Sequence, residues 1–200
     1  YSHYTLPKVL PHTAKKANTV SGDCTLAQTG TPITGQLSQL LTWSDLSSAY
    51  GLDALKGQGY DGGNSSIGFV EFDTYQRSDV VNYMLCANTY AKDRLQTVNV
   101  DVGASDPAAD SAPGAGEATL DLELASGLTG PNTKLIDYYA PNNANWEAEL
   151  QDILHKVASD KKVSVLSISY GDFEKDLTPT YMAAVNDTLK LLAAEGITTF

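Results

Sequence analysis

The stretch Gly116–Ala140 reads GEATLDLELASGLTGPNTKLIDYYA, and its pattern changes once, at the pair Gly130-Pro131. Before that pair, Leu120, Leu124 and Leu128 recur at a spacing of four, which stacks side chains along one face of a helix. The spacing predicts a helix over Glu117–Leu128 with this leucine stripe turned inward. Gly130-Pro131 stops it, because proline lacks the N–H that a further turn needs. Beyond the stop, KLIDYYA (Lys134–Ala140) is a short apolar run with the residue types of a buried strand. A helix handed straight to a strand is the repeating unit of an α/β domain.

Working outward, the same alternation continues. SIGFVEF (Ser66–Phe72) reads as a buried strand bounded by Gly62-Gly63-Asn64, and RSDVVNYMLCANTYA (Arg77–Ala91) as a helix with Val80, Val81, Met84 and Leu85 at helical spacing. TVNVDV (Thr97–Val102) alternates like a strand, and a Gly-, Ala- and Asp-rich loop fills Gly103–Gly116. Downstream come a helix over Ala144–Ser159, the strand KVSVLSISY (Lys162–Tyr170), a helix over Thr180–Glu195, and ITTF after Gly196. Strands alternating with helices predict an α/β domain over residues 42–200, with a mainly parallel sheet flanked by helices. Ahead of it, DLSSAYGL (Asp45–Leu52) carries a short helical signal capped by Ser44. Residues 1–41, punctuated by Pro7, Pro11, Pro32, Gly22, Gly30 and Gly35, read as an N-terminal arm laid over the domain. The chain stops just as a strand begins, which predicts part of a larger domain, since an unpaired last strand leaves backbone groups unsatisfied.

Composition narrows the function. Thirteen basic against 24 acidic side chains give a net charge of −11, which disfavours nucleic acid and anionic membranes as partners. No apolar run reaches the roughly 18 residues that span a bilayer. Cys24 and Cys86 have no metal-motif spacing; a disulfide in an extracellular protein and two buried thiols both fit. GQGYDG (Gly57–Gly62) matches a dinucleotide fingerprint in letters only, because it precedes a strand where the fingerprint must follow one. His3, His12 and His155 have no nucleophile motif beside them.

The carboxylates say more. Glu117 and Asp121 stand four apart, so a helix places both on one face about a turn apart. One reading is a solvated acidic first turn complementing the helix dipole. The other is a coupled pair at a cleft that holds one proton between two carboxyls and serves as a base near acidic pH. Pairing alone also fits a glycosidase.

The segments Gly116–Asn142 and VSVLSISYG (Val163–Gly171), together with DLSSAYGL, IGFVEFD (Ile67–Asp73), YMLCANTY (Tyr83–Tyr90) and AAEGITTF (Ala193–Phe200), resemble the sedolisin family of serine-carboxyl peptidases, in particular its kumamolisin-like members. The resemblance runs over about Thr42–Phe200, the N-terminal half of such a catalytic domain. It implies a subtilisin-like fold and a secreted, acid-active endopeptidase using a Ser-Glu-Asp triad. By the match, Glu117 is the general base and Asp121 its hydrogen-bonded partner. Glu71 and Tyr170 extend that network, Tyr170 standing where several relatives carry tryptophan. Ser169, Tyr170 and Gly171 take the substrate as an added strand. For Glu71 a lone charge closing a strand is the plainer reading, and for Ser169–Gly171 an ordinary strand end.

The resemblance also implies a disulfide between Cys24 and Cys86, and calcium held by ligands that this chain lacks. The family's G-T-S serine and its oxyanion aspartate are absent from the sequence as well, so a C-terminal half or a second chain is the expected partner, alongside a protein or peptide substrate. A non-catalytic, peptide-binding or inhibitory relative of the same fold is the alternative.

Overall fold

The computed structural model describes residues 43–103, 106, 109–110, 116–142 and 145–200. The expected arm, residues 1–41, lies outside the described residues, as does Cys24, the expected partner of Cys86. Strands β1 (Ser66–Glu71), β2 (Leu95–Asn99), β3 (Lys134–Tyr139), β4 (Val165–Ile168) and β5 (Thr198–Thr199) form one sheet in the order β2-β3-β1-β4-β5. Every pairing in it is parallel, which requires a crossover between successive strands. Those crossovers carry α3 (Arg77–Cys86), α4 (Gly116–Leu128), α5 (Trp146–Asp160) and α6 (Pro179–Ala194), while α1 (Trp43–Ala49) and α2 (Leu52–Gly57) precede the sheet.

Alternation along each strand feeds two cores. Phe69, Leu95 and Leu135 pack with Val80 and Met84 of α3 and with Ala118 and Leu122 of α4. Val70, Ile136 and Leu166 point the other way, against Leu150, Ile153, Leu154 and Val157 of α5 and Leu192 of α6. Helices on both faces explain why these strands read as unbroken apolar runs. Among the described residues no helix is long and apolar enough to cross a membrane.

The inward leucine stripe is corrected. Helix α4 buries Ala118, Leu122, Ser126 and Gly127, whereas Leu120 is 49% exposed. The reason is a close crossing: a Cβ added to Gly127 would stand 2.7 Å from Cβ and Cγ of Trp43 in α1. Where elements approach that tightly, small side chains face the contact and bulky ones turn away.

Several boundaries also move. Helix α3 ends at Cys86 rather than Ala91, because Asn88 takes a φ of 56° and the Thr89 amide turns back to the Met84 carbonyl at 2.8 Å. Gly51, at φ 70°, separates α1 from the unanticipated α2. Strand β2 starts two residues early, where Leu95 pairs with Leu135. Strand β4 keeps only Val165–Ile168 of the long run predicted for it.

Arg94, 1% exposed, anchors the end of α4. Its guanidinium donates to the carbonyls of Ser126 at 3.2 Å, Thr129 at 3.3 Å and Thr133 at 3.1 Å, and to Thr129 Oγ1 at 2.7 Å. A helix C-terminus exposes unpaired carbonyls and carries partial negative charge, and a cation serves both. Burial draws the Arg94 side chain down to about 10, which still leaves it charged at neutral pH.

Two opposed effects set the outcome of Gly127→Ala. Alanine favours a helix interior by about 0.5–1 kcal/mol, but overpacking costs about 1–3 kcal/mol, and the atoms met include Trp43 Cβ, which cannot move without its backbone. The substitution is expected to lower the thermal midpoint, while Gly116→Ala, which meets nothing within 4 Å, leaves it unchanged or higher. Thermal denaturation of the two variants checks this.

Candidate active site

Strands β1 and β4 are neighbours, yet the chain leaves β1 for α3 on one face of the sheet and β4 for α6 on the other. Diverging exits open a crevice at the carboxyl ends of the strands, the usual ligand position in doubly wound α/β sheets. Glu71, Ser169, Tyr170, Glu117 and Asp121 all meet there.

Glu71 closes β1 and is fully buried. Its Oε2 accepts a hydrogen bond of 3.0 Å from the Tyr170 hydroxyl, while its Oε1 has no hydrogen-bond partner among the described residues. Burial, followed by the charges of Asp121 and Asp137, pushes Glu71 up to about 9, against the pull of the Tyr170 hydroxyl. Tyr170 is itself pushed far up by burial and by Glu71, so it stays a donor. Its ring stands edge-on to Phe72, with centroids 5.0 Å apart.

The first turns of α4 bring the other two acids. Asp121 Oδ2 accepts a 3.0 Å hydrogen bond from Ser169 Oγ; burial raises its carboxyl overall, against the opposing pull of that hydroxyl. Glu117 is half-buried, and burial raises it first, then the charges of Asp121 and Asp73. Carboxyls this crowded cannot all ionise, so the cluster holds protons at a pH where isolated acids have lost them. Such a group can hold a proton between its members. Among the described residues no group of three or more His, Cys, Asp or Glu side chains is arranged to hold a metal ion.

The residues singled out in the sequence thus come together: Ser169 and Tyr170, consecutive in the chain, reach two different acids. Gly171 is exposed, and a Cβ there would meet nothing within 4 Å. Tyr170 and Gly171 also border a groove of about 670 Å³, lined among others by Ile168, Leu189, Ile197 and Phe200. One buried acid beside the site escaped the sequence reading. Asp137, in the middle of β3, is fully buried with both carboxyl oxygens unpartnered among the described residues, and burial holds it well above the ordinary range, with Asp110 adding to it. The signal was available: an acid at an inward position between Leu135 and Tyr139 of an otherwise apolar strand.

No protein-family profile matches the chain. The fold is similar to that of Pseudomonas sedolisin, a serine-carboxyl proteinase solved in complex with two molecules of pseudo-iodotyrostatin. The TM-score is 0.53 at 22% identity, over 70% of this chain and 38% of that one. The parallel five-stranded sheet with helices on both faces is therefore a subtilisin-like fold. Kumamolisin from Bacillus sp. (strain MN-32) is 30% identical over 143 residues, which are 70% of this chain and 25% of that protein. Over that part of its length the chain is related to the sedolisin family, in a kumamolisin-like relationship. It spans about a quarter of kumamolisin and 38% of the sedolisin chain.

Burying acids makes stability depend on pH. Below the ordinary value of 4.5 Glu71 is neutral in the folded and unfolded chain alike, and it costs nothing. As pH rises further the unfolded chain ionises while the folded one does not, so stability falls until about 9, where the folded carboxyl also charges. Urea titrations between about pH 5 and about pH 8 should show stability declining as pH rises, with a shallower decline in Glu71→Gln. Asp137 keeps part of the slope in that variant. An unchanged slope in Glu71→Gln would mean that its carboxyl is ionised in the folded protein.

Proposed function

We propose that this chain is the N-terminal part of the catalytic domain of a secreted, acid-active serine-carboxyl endopeptidase. The observation that carries the reading is the convergence of Glu117, Asp121 and Glu71, with the hydroxyls of Ser169 and Tyr170, at the crevice end of a sheet whose relatives are serine-carboxyl peptidases. In this reading Glu117 takes the proton of a serine hydroxyl supplied by a C-terminal half or second chain. As it does so, it passes its own proton to Asp121. The serine oxygen bonds to the scissile carbonyl carbon, and the oxyanion is stabilised by a protonated aspartate from the same missing half. The C–N bond then breaks, with the leaving amine taking its proton back from Glu117. Water repeats the cycle on the acyl-enzyme.

Acidic operation follows from the donors. A carboxylic acid must stay neutral to donate to an oxyanion, and a crowded cluster retains the one proton the relay needs. The peptide substrate would pair with the backbone of Ser169–Gly171 as an added strand, which suits an exposed Gly171 with open space above it. Calcium would be held outside the described residues, and it enters no step of this reading.

The test is proteolysis of casein at about pH 4 by the intact protein, in the presence of pepstatin. Glu117→Ala and Asp121→Ala are each expected to lower turnover by about 10²–10⁴ with the fold preserved. Near-normal proteolysis in either variant rejects the assignment. A folded intact protein that binds peptides without cleaving them would favour the non-catalytic relative instead.

A further inference from the structure

The hydroxyl of Ser169 has a task beyond the backbone pairing read for its segment. Strand β4 ends at Ile168, so Ser169 sits just past the sheet, free to turn its side chain across the crevice. There its Oγ meets Asp121 Oδ2 at 3.0 Å, across 48 residues of sequence and from a different layer of the fold. The next residue, Tyr170, meets Glu71 Oε2 at 3.0 Å. Two consecutive side chains therefore supply one donor each to two of the three clustered acids. Glu117, the third, receives none from this segment.

We infer that Ser169 is a positioning residue for the acid pair: its hydroxyl holds Asp121 in its charged form and fixes its orientation, so that the proton shared within the pair resides on Glu117. An oxygen that accepts a hydrogen bond from a hydroxyl is favoured as a carboxylate over a carboxylic acid. The groups facing Asp121 otherwise push the opposite way. Glu117 stands on its own helix and Glu71 at the end of β1, and both are acids whose charge couples to that of Asp121; Asp73 acts on Glu117, and Asp137 on Glu71 from the neighbouring β3. Among the described residues no basic side chain shifts Asp121, Glu117 or Glu71. Tyr170, from the β4 exit, is committed to Glu71. Among the described residues the Ser169 hydroxyl is thus what draws Asp121 towards its charged form, against the burial that raises it. With Asp121 charged and Glu117 protonated at rest, the relay has a direction: a proton arriving at Glu117 displaces the one already there towards Asp121.

The catalytic meaning of this arrangement rests on the peptidase reading, but the bond and its effect on the acids do not. The test uses the full chain with carboxyl-13C aspartate and glutamate, titrated by NMR as wild type, Ser169→Ala and Ser169→Thr. In Ser169→Ala the Asp121 midpoint is expected to rise and the Glu117 midpoint to fall, as the proton moves between them. Ser169→Thr, which keeps the hydroxyl, should return both towards wild type. An Asp121 midpoint unmoved by Ser169→Ala overturns the inference, and so does an equal displacement in Ser169→Thr, which would trace the effect to shape instead of the hydroxyl. Ser169 is exposed, so its substitution leaves the core intact. Because the measurement needs no proteolysis, an inactive intact protein would sink the peptidase reading and leave this one standing.

Discussion

A carboxyl group at the end of β1, out of reach of water, is the constraint around which the site is organised. Among the described residues Glu71 has one hydrogen-bond donor, the Tyr170 hydroxyl, and acids act on it as well. An ionised carboxylate in such surroundings loses its hydration without recovering it from a cation. The neutral form is therefore the stable one over much of the pH range, and its negative neighbours share the same difficulty.

The scaffold delivers this cluster through close approach. Helix α4 lies over the sheet on Ala118 and Leu122 and against Trp43 at Gly127, and Arg94 clamps its far end through carbonyl groups. That double fixing aims the opposite end of the helix, with Glu117 and Asp121, at the carboxyl ends of the strands. The exit of β4 then brings two hydroxyls in from the other side of the crevice. None of these contacts is individually strong. Their value lies in setting which acid has a donor and which has not, and in an environment of low polarity that difference is amplified.

Much of the architecture was legible in advance. The order of strands and helices from Ser66 to Phe200 followed from apolar runs alternating with helical spacing, because a parallel sheet covered on both faces must show both patterns. The pair Glu117–Asp121 was legible as well, since four-residue spacing on a helix places side chains together whatever the surroundings. Other features were not. The leucines of α4 suggested the wrong buried face, because bulk is a poor guide where a glycine touches a tryptophan. The end of β4 was overextended, because Ser169 and Tyr170 have strand-like identities and leave the sheet only to reach acids that lie distant in sequence.

Sequence alone therefore determined the class of fold and the presence of a paired acid, both of which depend on local periodicity and survive any change of neighbours. Tertiary structure decided the surroundings of that pair. Which carboxyl is buried, which receives a hydroxyl, and that Asp137 stands behind them are matters of distance between β1, β3, α4 and the exit of β4. Solvation and charge act through space, and residues 48 or 99 positions apart become neighbours only when the sheet has formed.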